Sequence, residues 1–435
     1  MSGQPPRWRL WLAVAALLAL TGWALPSPWL VARGAVVAGT AAVSGTWARL
    51  ALVRVRFERS LSPARLFAGE STTLSLHLEN DKLLPLGWLR LVDAVPTGLA
   101  WSDEVLHPTA RDGWRELHRV TALGPYESVT WRLALDCPQR GHYRFGPATL
   151  RSGDIFGLSE VTDESPERDT LIVYPALRSL AELGFPPEDP LGDRRARRSL
   201  HSDPVRSRGV REHAPGDPRR SVHWKASARG RGLQVRLETP ISEQTVLLLL
   251  DTATEATTRL WIRPARQEMM IALAASVVHH AAREGRAVSL AATAIAPGGA
   301  PVRVPNLRGP AALPALLGAL AAIGPYVHGT PARMAAREGR RAPWGATIAV
   351  LTWAVDEALE AALLRLQRAG RTVVLITLDP DYDGQPPFPV RRIDPRALAF
   401  ARHGDERVRP AAGAEALWDG AEAELLATIA AEGES

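Results

Sequence analysis

The chain has 435 residues, 46% hydrophobic and 23% charged, with a formal net charge of +6. That length suits two or three domains, and the composition is ordinary for globular material. Cys137 is the only cysteine, which excludes an intramolecular disulfide and suits a reducing compartment.

The amino terminus holds two apolar stretches, Leu10 to Leu25 and Trp29 to Trp47, the second interrupted by Arg33. Pro26-Ser27-Pro28 turns the chain between them. Each stretch approaches the ~20 residues a bilayer needs. Trp11, Trp23, Trp29 and Trp47 lie near the ends, as in an aromatic belt. Residues 1–50 are therefore expected to form a transmembrane helical hairpin. Arg7 and Arg9 before it, and Arg49, Arg54, Arg56 and Arg59 after it, put both ends in the cytoplasm. The expected location is the inner or plasma membrane, multi-pass, with the other domains cytoplasmic. The competing reading is a cleaved signal peptide with Leu10 to Leu20 as its core.

Residues 51–176 read as an all-β, Ig-like sandwich. Leu74, Leu76 and Leu78 alternate with polar residues, as do Val129, Trp131, Leu133 and Leu135. Gly and Pro punctuate at short intervals. Trp88, Trp101, Trp114 and Trp131 fit a sandwich core or rim better than a carbohydrate platform. Residues 177–207 read as a basic linker, with Pro186-Pro187, Pro190 and four arginines between Arg194 and Arg198. From Arg194 to Arg236 there are twelve Arg and one Lys against three acids. This segment could touch anionic membrane lipid or nucleic acid. It lacks the interleaved aromatics that stack on bases, so direct nucleic-acid binding is not expected.

In residues 208–240, Pro215-Gly216 is a turn signal, and Asp217-Pro218 has the form of a helix cap and first helical residue. A short helix is expected from about Arg219 to Arg229, ended by Gly230 and Gly232. Leu233, Val235 and Leu237 then alternate as a strand. Residues 241–435 alternate strands and helices. Strands are expected at 246–251, 287–295, 346–352 and 372–378, and helices at 263–285, 311–323, 356–369 and 412–431. That pattern implies a doubly wound parallel sheet.

Several runs together resemble one family. They are Gly209-x-Arg211-Glu212-x-x-Pro215-Gly216-Asp217-x-Arg219, Trp224-Lys225, Ala228-Arg229, Arg140-Gly141-x-Tyr143, Asp154-x-Phe156-Gly157-Leu158 and Val173-Tyr174-Pro175. They resemble the bacterial domain of unknown function 58 family. The resemblance implies a carboxyl-terminal domain similar to von Willebrand factor A domains, an anchor of two membrane helices and a MoxR-type AAA+ ATPase as partner. It implies no reaction, since the family's activity is not established.

In von Willebrand A domains the first strand ends in Asp-x-Ser-x-Ser, which holds Mg²⁺ through oxygen ligands. Here the run is Asp251-Thr252-Ala253-Thr254-Glu255. It is either an altered metal site using Asp251, Thr254 and Glu255 or a remnant without metal. The remnant is preferred, and no Mg²⁺ or other cofactor is expected. For Arg211, Glu212, Pro215, Gly216, Asp217, Arg219, Trp224 and Arg229 two roles stand level. They could form a partner-binding surface with Trp and Arg anchors, or an interdomain clamp of Arg–carboxylate pairs. The reading is a membrane-anchored cytoplasmic scaffold or adaptor that binds a protein and performs no catalysis. The alternatives are a metal-dependent enzyme using Asp251, and nucleic-acid or lipid binding through the Arg-rich segment.

Overall fold

The computed structural model describes residues 8–102, 104–186, 191, 202–214, 222–229, 232–240, 245–255, 262–296, 299–343, 345–379 and 381–398. The chain divides into two units, Met1–Tyr174 and Pro175–Ser435.

The first unit opens with helices α1 (Trp8–Ala24) and α2 (Pro28–Ala51). Strands β1 (Val55–Ser62), β2 (Arg65–Phe67), β3 (Ser71–Asn80), β4 (Leu86–Pro96), β5 (Ala100–Trp101) and β6 (Leu106–Pro108) follow. After them come β7 (Trp114–Leu123), β8 (Ser128–Asp136), β9 (Gly141–Phe145), β10 (Ala148–Gly153), β11 (Glu160–Ser165) and β12 (Asp169–Tyr174). They form sheets ordered β1-β3-β8-β5, β11-β10-β4-β7-β6 and β2-β12-β9. The alternating leucines meet in one core, where Leu74, Leu76 and Leu78 from β3 join Leu89 and Leu91 from β4 and Leu133 and Leu135 from β8. Period-two burial on both sheets makes this the face-to-face packing of a sandwich. Trp101 and Trp131 pack against that core from its edge.

The transmembrane hairpin is overturned. Among the described residues no helix is long and apolar enough to cross a membrane. α1 has 17 residues, which at 1.5 Å each is about 25 Å, short of the ~30 Å hydrocarbon core. α2 has the length, but glycine, serine, threonine, Arg33 and Arg49 thin its apolar content. One face of α2 is also committed to protein. Ala41, Ser44, Gly45, Ala48 and Ala51 are buried, and Ser44 Oγ lies 3.3 Å from Ser159 Oγ. The multi-pass location and the both-ends-inside orientation lose their basis with the hairpin.

A buried ion group crosses the sandwich. Arg59 reaches both oxygens of Asp93, Nη2 to Oδ1 at 2.5 Å and Nε to Oδ2 at 3.0 Å, and Asp169 at 2.8 Å. The Arg59 and Asp93 side chains are fully buried. Burial pushes the Asp93 carboxyl up to about 6, against the pull of Arg59.

The second unit holds β13 (Ser202–Glu212), α3 (Trp224–Ser227), β14 (Gln234–Pro240), β15 (Thr245–Leu250), α4 (Pro264–Arg283), β16 (Ala287–Ile295) and β17 (Pro301–Leu307). It continues with α5 (Ala312–Ala321), α6 (Pro331–Arg341), β18 (Thr347–Thr352), α7 (Glu357–Arg368), β19 (Thr372–Thr377) and β20 (Val390–Arg392). β13 and β14 form an antiparallel ribbon, and the other strands make one sheet ordered β17-β16-β15-β18-β19-β20. That sheet is parallel except for β17, which runs against β16. β15 and β18 are buried at every position, as strands covered on both faces should be. Leu247, Leu249, Ile348 and Val350 pack against Met334 and Ala335 of α6 and Leu359 and Leu363 of α7. α4 packs on the same strands and, by strand alternation and the right-handed crossover, takes the other face.

Three readings differ from what is seen, and a fourth is not tested. The supposed linker 177–207 gives way at Ser202 to β13, whose partner lies more than twenty residues on. The helix expected from Arg219 cannot run through Val222, which bridges Val235; it begins at Trp224. β17 and α6 were absent from the sequence reading. The helix expected at 412–431 lies outside the described residues.

Candidate functional site

Two places in the second unit carry the residues singled out above. The first is the ribbon. Glu212 pairs with Gln234 and Arg211 with Val235. Val222 and Val235 are buried against each other's strands, 6% and 4% exposed. His223 then fixes the turn that follows. Its backbone N–H donates to Gln234 O at 2.7 Å, and its ring Nδ1 accepts from Ala226 N at 3.0 Å as the cap of α3. Ser227 closes the other side: Oγ accepts from Gln234 N at 2.8 Å and donates to His223 O at 3.1 Å. The outcome is a four-residue helix latched to the ribbon at both ends, with Trp224 at its start and 70% exposed. Arg211, Glu212 and Arg229 are exposed as well, and Arg211 Nη1 donates to Glu212 O at 3.0 Å. Pro215, Gly216, Asp217 and Arg219 lie outside the described residues.

The second place is the carboxyl edge of the sheet. The chain leaves β15 toward β16 on one side and adds β19 beyond β18 on the other, so the topology switches between β15 and β18. Ligands on open α/β sheets bind beyond the strand ends at such a point. Asp251 stands there, 2% exposed. Its Oδ1 accepts the hydroxyl of Thr293 at 2.7 Å. Thr352 Oγ1 lies 3.1 Å from Oδ2 and 2.8 Å from Ala354 O, two acceptors for one hydroxyl hydrogen. Thr293 Oγ1 in turn accepts from Thr252 N at 2.9 Å, and Thr252 Oγ1 donates to Thr293 O at 2.9 Å. Thr252, Thr254 and Thr352 are fully buried.

These residues do not fit Mg²⁺ as placed. Ala253 brings no oxygen and donates its N–H to Asp251 Oδ1 at 3.4 Å. Thr254 Oγ1 accepts from Arg263 N at 2.9 Å. Glu255 is turned to Arg263, Nε to Oε1 at 2.6 Å. Among the described residues no group of three or more His, Cys, Asp or Glu is arranged to hold a metal. Arg266 lies over the ring of Trp353, 4.5 Å from its centroid, and donates to Thr254 O at 3.1 Å. An edge built this way holds the strand ends and the loop after β15 in register.

Residues 209–387 match the family described as protein of unknown function DUF58.

A relative named "Uncharacterized protein YeaD", from Bacillus subtilis, is 26% identical over 241 residues, 54% of this chain and 54% of the relative. The chain thus spans about half the length of the curated relative it matches. Domains D2 and D3 of the major pilin SpaD from Corynebacterium diphtheriae align over 26% of this chain and 51% of that one, at 11% identity and a TM-score of 0.21. A non-cellulosomal cohesin from Archaeoglobus fulgidus aligns over 26% of this chain and 91% of that one, at 12% identity and a TM-score of 0.17. Scores so low say nothing about the fold.

The residues singled out in both places lie within the matched residues 209–387, although β13 begins before them. Asp251 meets Thr352 across the sheet edge, while Thr254 and Glu255 engage Arg263 instead. Thr293, Arg266 and Trp353 were missed. Thr293 sits in an Ala-rich strand with no local mark, and only the pairing of β15 with β16 brings it to Asp251.

Proposed function

We propose that this chain is a protein-binding module, and that the ribbon carrying Trp224 makes the contact. Exposure of Trp224 on a latched helix carries the proposal: an indole held out in water by two hydrogen-bonded ends costs apolar hydration that a partner would relieve. Trp and Arg are the residue types that most often anchor interfaces, and Arg211 and Arg229 stand exposed in the same segment. The engagement of Asp251 with threonine hydroxyls supports binding over catalysis, because the carboxylate is spent on holding three strand ends together.

The second unit is proposed to belong with the von Willebrand factor A-like folds. Support comes from its central parallel strands, the helices on both faces and an acid at the end of the first sheet strand. On the family resemblance, the proposed partner is a MoxR-type AAA+ ATPase. The test is calorimetric titration of the full chain with the purified MoxR-type ATPase of the same genome. Trp224→Ala should weaken binding by at least ~10-fold with an unchanged melting temperature, since the indole touches little of its own chain. Absence of binding by the unaltered chain removes the ATPase as partner. Binding indifferent to Trp224→Ala and Arg211→Ala removes the ribbon as the surface.

A further inference from the structure

Helix α6 carries a row of arginines, one of which its own electrostatics does not call for. Arg333, Arg337 and Arg340 recur every three to four residues and fall within about 60° of the helix circumference. All three are exposed, as are Arg341 and, from the neighbouring strand β17, Arg303. The one acid among them, Glu338, is 4% exposed. Arg337 Nε reaches its Oε1 at 2.8 Å, Arg303 Nε its Oε2 at 3.2 Å, and Arg341 Nη1 lies 3.8 Å from Oε1. Three guanidiniums thus meet a single carboxylate, and Arg333 and Arg340 extend the row beyond it.

Arg340 and Arg341, in the last turn, suit the negative end of the helix dipole. Arg333 does not. It stands in the first turn, where a cation is disfavoured, and α6 has no acid there. The adjacent helix α7 follows the ordinary rule, with Glu357 and Glu360 in its first turn and Arg365 and Arg368 in its last. The helix itself therefore gives no account of the charge at Arg333.

We infer that this row is a docking surface for an acidic polypeptide segment. The carboxylate already held by three guanidiniums shows which chemistry the surface accepts, since the planar fork matches a carboxylate edge. Spacing agrees. Arg333 and Arg337 are about 6 Å apart along the axis, and acids at alternate positions of an extended peptide are about 6.7 Å apart. A wider polyanion fits worse. α6 and α7 are each followed by a strand entering from the same edge of the sheet, so they lie parallel. Glu357 and Glu360, in the first turn of α7, then lie at the same end as Arg333, which leaves the basic strip narrow for a duplex or a bilayer. Neither α6 nor β17 carries an aromatic side chain on which a base could stack.

The inference does not rest on the ribbon. Fluorescein-labelled octaglutamate, about 20 bp of duplex DNA, and vesicles containing phosphatidylglycerol are each titrated with the full chain. Arg333 and Arg340 make no contact with Glu338, so Arg333→Ala/Arg340→Ala spares its cage. Octaglutamate should bind, lose at least ~10-fold affinity between about 50 and 300 mM salt, and lose a similar factor in the double variant. Trp224→Ala should bind as the unaltered chain does, which separates this surface from the ribbon. Failure of the peptide to bind, affinity indifferent to the double variant with its melting temperature unchanged, or tighter binding of DNA or vesicles that the variant weakens equally would each overturn the inference.

Discussion

Thr293 donates its hydroxyl hydrogen to Asp251 across 2.7 Å from a position 42 residues further along the chain. The same oxygen accepts the N–H of Thr252. One side chain thereby fixes the end of β15, the loop after it and the end of β16. Thr293→Val removes the donor and the acceptor together in a site that water does not reach. It should cost about 3 kcal/mol, whereas Thr293→Ser should cost less than about 1 kcal/mol. Urea unfolding of the two variants gives the comparison, and equal losses would show that the methyl matters rather than the hydroxyl.

Mg²⁺ is expected to do little at this edge. With donors already on both sides of Asp251, affinity should be no tighter than about 1 mM, so 1 mM Mg²⁺ should stabilise the chain by less than about 0.4 kcal/mol. A micromolar site seen by calorimetry and lost in Asp251→Asn would refute this.

The Arg59–Asp93 pair gives the sandwich a pH dependence of unusual sign. Asp93 titrates near 3.8 when unfolded and at about 6 when folded, so the folded unit holds that proton more tightly. The contribution is complete below about pH 4 and is lost as pH rises through about 6, amounting to about 3 kcal/mol. Asp93→Asn should flatten the fall in stability between these values. Asp93→Ala should cost about 3–5 kcal/mol, because Arg59 stays buried with only Asp169 beside it. Melting curves at pH 4.5, 5.5 and 6.5 report both.

Gly339 sets how closely α6 approaches α7. A Cβ there would stand 2.7 Å from both methyls of Leu366. Gly339→Ala should cost about 1–2 kcal/mol. Leu366→Ala opens the same space, so the double variant should lose less than the two single losses together. Additive losses would mean that the two residues do not meet.

Local signals in the sequence were the dependable ones. The buried run before Asp251, the alternating leucines of β3 and the Asp356 cap of α7 announced their elements because each rests on local periodicity or a single capping bond. Asp356 Oδ1 indeed accepts from Leu359 N at 2.7 Å. β17 was hidden by Pro301 and Pro305, tolerable only on an edge strand, which is where it lies. α6 showed Thr330-Pro331, a sound cap and first residue, but its buried side is small and polar: Met334, Ala335, Glu338 and Gly339. The amino-terminal helices were misjudged for a related reason. Alanine and glycine counted as apolar there, although such residues fit close packing against protein as well as they fit lipid. At the candidate site, Asp251 and Thr352 were legible from strand ends, while Thr293 required the sheet order.

The small-residue face of α2 also decides where the chain can be cut. Ala51 belongs to the sandwich core, and Ser44 reaches the turn between β10 and β11 at Ser159. A fragment trimmed near residue 50 would leave the flank of the sandwich at β10 and β11 bare, and its aggregation would be mistaken for a property of the whole protein. Expression of this protein in pieces should begin ahead of α1 and α2 or beyond the last strand of the sandwich, and nowhere between.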